Sequence, residues 1–135
     1  MKRVFLDTNF LIDLFIREEY KENAQAVIDL CIDHDIDFYV SFLSVANFAY
    51  IMRKAPAPVL NSYINNICRE FNILPNNDLQ LSEASKILSS DFEDALQYVT
   101  ALNGKCECII TRNEKDFTFS SIRILSPSKF IEFYS

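Results

Sequence analysis

Four short segments carry side chains that could do chemistry together. Asp7-Thr8-Asn9 follows the apolar run Val4-Phe5-Leu6, and Asn47 stands in an apolar stretch after Ser41. Glu93 and Asp94 follow Asp91, and Thr111-Arg112-Asn113, with Asp116 just beyond, follows Cys108-Ile109-Ile110. Asp7, Asp94 and Asp116 are far apart in the chain. If a fold gathers them, their carboxylates repel one another and need a metal ion, an arginine or protons to stay together. Hard oxygen ligands with no cysteine or histidine nearby suit Mg²⁺ or Mn²⁺. Such an ion keeps waters, takes phosphate oxygens, makes a bound water nucleophilic and neutralises charge on a phosphodiester under attack.

The elements that must position these groups follow from the apolar pattern. Val4-Phe5-Leu6 is a continuous apolar run, which predicts a buried parallel strand. Further strands are expected at Phe38-Tyr39-Val40, over 71–74, at Cys108-Ile109-Ile110 and at Arg123-Ile124-Leu125. A short helix or turn is expected over 9–15. The spacing of Ala24, Val27, Ile28, Cys31 and Ile32 predicts a helix over about 20–34. Ser41 can cap a helix reaching about Lys54, which Ala55-Pro56-Ala57-Pro58 breaks, and another runs to about Arg69. Asp78 can cap a helix to about Leu88. Ser89-Ser90-Asp91 interrupts it, and Asp91 can cap a helix to about Asn103 that Gly104 closes. A terminal helix is expected over 128–134. Strands alternating with helices imply a three-layer α/β/α domain with a parallel sheet of four or five strands. Such sheets place their sites outside the carboxyl ends of the strands, where Asp7, Ser41 and Thr111 stand. A helix antiparallel to the strands starts at that same edge and brings Asp94 to it.

Composition narrows the classes. The 135 residues predict one domain over 1–135. Half are apolar, which is globular composition and not that of a disordered chain. The longest apolar run, Phe48 to Met52, is too short to span a membrane, and the acid at position 7 fits no signal-peptide core. A cytoplasmic protein without a membrane partner is expected. The single glycine excludes the dinucleotide fingerprint and the P-loop. A net charge of −6 argues against a broad basic surface for nucleic acid. Residues 38–69, however, carry Arg53, Lys54 and Arg69 and no acid, a local basic stretch that could meet a polyanion. Cys31, Cys68, Cys106 and Cys108 form no C-x-x-C pair, and the one histidine, His34, is remote from three of them; buried thiols are expected rather than a zinc site.

The chain resembles the PIN domains, metal-dependent ribonucleases that include the VapC-type toxins of bacterial toxin–antitoxin pairs. Phe5-Leu6-Asp7-Thr8-Asn9-Phe10-Leu11-Ile12-Asp13 is similar to the family's opening hydrophobic-Asp-Thr-Asn signature. Asp91-Phe92-Glu93-Asp94-Ala95-Leu96 is similar to its helix-borne third acid, which falls on Asp94, and Ile110-Thr111-Arg112-Asn113-Glu114-Lys115-Asp116-Phe117 to its closing T-R-N-x-x-D-F segment. Order and spacing match over almost the whole chain. The family's usual glutamate after the second strand is replaced by Asn47 within Ser41-Phe42-Leu43-Ser44-Val45-Ala46-Asn47-Phe48, which resembles a subgroup with that asparagine. The site then has one fewer negative charge, which weakens its hold on a cation. At the closing segment many relatives carry an acid at the position of Asn113; either Asn113 or Asp116 approaches the metal here.

The resemblance implies RNA phosphodiester hydrolysis with Mg²⁺ or Mn²⁺. Asp7, Asp94 and Asp116 would hold the metal, with Asn47 completing the site. It implies a homodimer and a small antitoxin whose tail could place a cation among the acids. The alternative is a PIN fold weakened in catalysis that acts by binding RNA or protein.

Plainer roles stand beside these. Asp7 could cap the next helix, Asp91 is expected as a cap rather than a ligand, and the helix dipole alone favours Glu93 and Asp94 in a first turn. Thr8, Asn9 and Thr111 are expected to orient the carboxylates by hydrogen bonds. Asp13 reads as a solvated helix residue and His34 as a surface residue. Arg53, Lys54 and Arg112 read as contacts to phosphate or a partner, or as a solvated face.

Overall fold

The structure is a computed structural model and describes residues 1–89 and 91–135; the interruption expected at Ser90 lies outside them. The apolar runs form β1 (Arg3–Leu6), β2 (Asp37–Ser41), β3 (Asn72–Leu74), β4 (Cys108–Ile110) and β5 (Arg123–Leu125). They pair in parallel in the order β3-β2-β1-β4-β5, with Phe5 opposite both Tyr39 and Ile109. All five expected strands are present.

Side chains alternate across a strand, and this splits the core into two. Val4, Leu6, Cys108 and Ile110 join one apolar cluster, while Phe5 and Ile109 join the other. The first cluster is covered by α1 (Phe10–Phe15), α2 (Glu18–Asp33), α3 (Phe42–Ile51), α4 (Ala57–Glu70) and α7 (Pro127–Phe133). The second is covered by α5 (Asp78–Ser85), α6 (Phe92–Asn103) and a 3-10 turn over Glu114–Phe117. The result is the expected three-layer α/β/α arrangement. From β1 the chain winds outward through β2 and β3, then returns to place β4 and β5 on the other side. The order therefore reverses between β1 and β4, and a crevice opens at their carboxyl ends.

Several boundaries differ from expectation for local reasons. The third helix stops at Ile51 rather than near Lys54, and residues 52–55 form a turn and a bend before Pro56. Pro58 does not break a helix but sits in the first turn of α4, where its missing N–H leaves no gap. Asn77 caps α5 in place of Asp78: Asn77 Oδ1 accepts from Gln80 N–H at 2.9 Å, and Gln80 Oε1 accepts from Asn77 N–H at 3.2 Å. That helix ends at Ser85, short of Leu88. Gly104 follows α6 as expected but has φ −78°, and Lys105 takes the left-handed conformation at φ 60°. A Cβ at Gly104 would lie 2.5 Å from Leu74 Cδ1, so a larger residue there requires that side chain to shift. Cys31, Cys106 and Cys108 are buried free thiols, but Cys68 is exposed, contrary to the expectation for all four. Among the described residues no helix is long and apolar enough to cross a membrane.

Candidate active site

Asp7 ends β1 at the point where the strand order reverses, and its side chain is buried. Its N–H continues the β1–β4 ladder by donating to Ile110 O at 3.0 Å. Thr111, just past β4, donates through Oγ1 to Asp7 Oδ2 at 2.7 Å. The N–H of Asn113 donates to that same Oγ1 at 3.0 Å, which occupies a lone pair and leaves the hydroxyl proton for Asp7. The hydroxyl and N–H of Thr8 lie beside the carboxylate and favour its charged form. Burial outweighs these bonds and raises the pKa of Asp7. Asp7 Oδ1 is buried and has no hydrogen-bond partner among the described residues.

Helix α6 starts at the same edge of the sheet. Asp91 caps it, as expected, by accepting from Glu93 N–H at 2.8 Å, and Asp94 follows in the first turn. Burial and then the charges of Asp91, Asp7, Asp116 and Glu93 push the Asp94 carboxyl up to about 7. The helix N-terminus favours an anion there, but burial and then the surrounding acids prevail. Asp116 is exposed on the 3-10 turn, which the buried Phe117 anchors, and its charge acts on both Asp7 and Asp94.

One polar crevice is lined by Asp7, Thr8, Asn9, Asn47, Asp91, Glu93, Asp94, Asn113 and Asp116. The structure thus brings Asp7, Asn47, Asp94 and Asp116 together with Thr8, Asn9, Glu93 and Asn113, and places Thr111 behind Asp7 as its donor. Asn113 and Asp116 both reach the crevice. Asn47 reaches it from α3 and is half-buried. Among the described residues no lysine or arginine lines it. The orphaned Asp7 Oδ1 and the raised carboxyls of Asp7 and Asp94 fit a hard cation better than they fit one another. Among the described residues no three acids close around a single point, so a cation would be reached partly through water, as Mg²⁺ commonly is.

Two expectations are corrected here. Arg112 is not a solvated charge. Its Nε and Nη2 donate to Asp13 Oδ2 and Oδ1 at 2.6 and 3.2 Å, and its guanidinium lies 3.8 Å from the Tyr20 ring centroid. Asp13 is correspondingly buried, not solvated, with Arg17 also within 3.7 Å. The pair ties the segment after β4 to α1.

Sequence reasoning missed Gln97. This fully buried side chain donates through Nε2 to Thr8 Oγ1 at 2.9 Å and to Ser44 Oγ at 2.8 Å, and its Oε1 accepts from Ser41 Oγ at 2.7 Å. The signal was present: Gln97 interrupts the apolar stretch Ala95-Leu96-Gln97-Tyr98-Val99, and a buried amide requires partners. Ser41 also caps α3, as expected, by accepting from Ser44 N–H at 3.0 Å.

The family model for the PIN domain matches residues 3–115. The chain belongs to the PIN domain family. Ribonuclease VapC1 of Aquifex aeolicus (strain VF5) is 27% identical over 138 residues, covering 97% of this chain and 94% of that protein. A structure of FitAB bound to an IR36 DNA fragment matches with a TM-score of 0.74 at 21% identity, over 92% of this chain and 94% of that one. A toxin–antitoxin complex from Klebsiella pneumoniae matches with a TM-score of 0.66 at 22% identity, over 92% and 97%. At these identities the structural likeness establishes the fold. For this PIN domain, then, the acids described above occupy the carboxyl-end crevice of a fold it shares with those chains.

Proposed function

We propose that this PIN domain is an endoribonuclease that hydrolyses RNA phosphodiester bonds with Mg²⁺ or Mn²⁺. The observation that carries the reading is the uncompensated acid crevice, with Asp7 Oδ1 buried and unpartnered at its base. The kinship with Ribonuclease VapC1 supports the substrate class. Asp7, Asp94 and Asp116 hold the cation, directly or through water, and Asn47 completes the set with a neutral amide oxygen. When bound, the cation supplies a nucleophilic water and offsets charge on the attacked phosphodiester. Thr111 and Thr8 orient the Asp7 carboxylate, Asn113 fixes Thr111 through its backbone, Asn9 adds a polar group at the mouth, and Glu93 adds charge beside Asp94.

The same reading makes the protein a cytoplasmic toxin, one domain over 1–135, acting as a homodimer with a small antitoxin as partner. The toxin–antitoxin complex among its structural neighbours supports that partner. An antitoxin cation entering the crevice would relieve the same repulsion as a metal. One observation favours a second reading: the position facing the acids from α3 is the neutral Asn47, which suits a domain that binds RNA or protein with little turnover.

Parallel binding and cleavage assays separate the two. Wild-type protein is incubated with structured and unstructured RNAs in Mg²⁺, Mn²⁺ or EDTA. Fragments that appear with either metal and vanish in EDTA support the nuclease. Retention of intact RNA under every condition supports the binding module.

A further inference from the structure

We propose that Gln97 is a positioning residue of the acid crevice, acting through Thr8 to set the Asp7 carboxylate relative to Asp94 and Asn47. The proposal rests on reading the crevice as a cation site. Gln97 lies one turn after Asp94 on α6 and is fully buried. Its partners lie on the other elements that feed the crevice. Thr8 directly follows Asp7, while Ser41 and Ser44 open α3, the helix that carries Asn47. One amide therefore ties β1, α3 and α6 together at 2.9, 2.7 and 2.8 Å through Thr8, Ser41 and Ser44.

The direction of these bonds gives the tie a function. By donating to Thr8 Oγ1, Gln97 holds in place the residue that directly follows Asp7. Asn113 does the same to Thr111 on the other flank of Asp7. Asp7 is thus steadied from two sides, by the Asn113 backbone amide behind Thr111 and by the Gln97 side chain behind Thr8. Only an amide can serve at position 97. It offers two protons, for Thr8 and Ser44, and an oxygen for Ser41. A carboxylate would lack the protons, and an apolar side chain would lack all three.

The test is Mn²⁺ binding, followed by water-proton relaxation, for wild type, Asp7→Asn, Gln97→Met, Thr8→Val and the double variant Gln97→Met/Thr8→Val, with folding checked by circular dichroism. Loss of a group that orients a ligand typically weakens metal binding about 10-fold or more. Gln97→Met and Thr8→Val are each expected to raise the Mn²⁺ dissociation constant about tenfold. The double variant is expected to be no worse than the weaker single, because both cut the same path. A purely structural role would lower the melting temperature without this non-additivity. Binding of Mn²⁺ by folded Gln97→Met at wild-type strength, or fully additive losses, overturns the proposal and leaves the cation site standing. No Mn²⁺ binding by wild type, or equal binding by Asp7→Asn, overturns the cation site and this proposal with it. If Gln97→Met does not fold, Thr8 decides. Weakened binding in Thr8→Val that Thr8→Ser restores supports the path, and wild-type binding by Thr8→Val overturns it.

Discussion

Thr111 Oγ1 reaches Asp7 Oδ2 at 2.7 Å across the seam between the two central strands, joining residues 104 apart in the chain. The bond has a fixed polarity, because the Asn113 N–H donates to Thr111 from behind. It engages one oxygen of the carboxylate and leaves Oδ1 without a partner. That free oxygen is the ligand the proposed cation would take from Asp7.

Thr111→Val removes the proton that Asp7 accepts while keeping the side-chain volume. Leaving a buried acceptor unsatisfied costs about 1–3 kcal/mol. Urea denaturation of the metal-free protein should show a loss of that size, and Mn²⁺ affinity should fall about tenfold. Thr111→Ser keeps the hydroxyl and should recover most of both.

The acid crevice makes stability fall as pH rises. Asp94 has its carboxyl raised to about 7 in the folded protein, whereas an unfolded aspartate titrates near 4. Between these values the folded state binds more protons than the unfolded state, so raising the pH favours unfolding. The stabilisation is complete below about pH 4 and lost as pH passes about 7. Burial raises the pKa of Asp7 as well, with the same sign. Melting curves of metal-free protein from pH 5 to 8 should show a falling midpoint, with a shallower slope in Asp94→Asn. On the proposed reading of the crevice as a cation site, Mn²⁺ added at pH 8 should raise the midpoint again by binding the folded state.

Arg112 and Asp13 form a bidentate pair, and Asp13 is 5% exposed. Arg112→Ala leaves that carboxylate buried with only the more distant Arg17, at a cost of about 3 kcal/mol. Adding Asp13→Asn to the Arg112→Ala variant should return part of the loss, since no charge then remains buried. Guanidinium denaturation of the three variants measures both effects.

The pattern of success in reading the sequence follows from the range of the interactions. Buried parallel strands are short continuous apolar runs, so Val4-Phe5-Leu6 and Cys108-Ile109-Ile110 were visible, and the polar residues after them marked the crevice. The caps at Ser41 and Asp91 are local, and both were legible. Asn77 and Asp78 are adjacent cap formers, and only the reciprocal bond to Gln80 selects the first. Arg112 and Asp13 are 99 residues apart, so nothing near either one announced their pairing. Asp13 reads as solvated from the sequence because an aspartate on a helix is mostly exposed. Gln97 was passed over because its partners Thr8, Ser41 and Ser44 come from distant parts of the chain.

The most direct test of the acid crevice as a metal-dependent nuclease site is RNA cleavage by wild type, Asp7→Asn and Asn47→Glu under matched Mg²⁺, Mn²⁺ and EDTA conditions. Wild type should cut only with metal, Asp7→Asn should not cut, and Asn47→Glu should cut faster because it adds a charged ligand to the set. Cleavage by Asp7→Asn at the wild-type rate, or cleavage that persists in EDTA, would contradict the account.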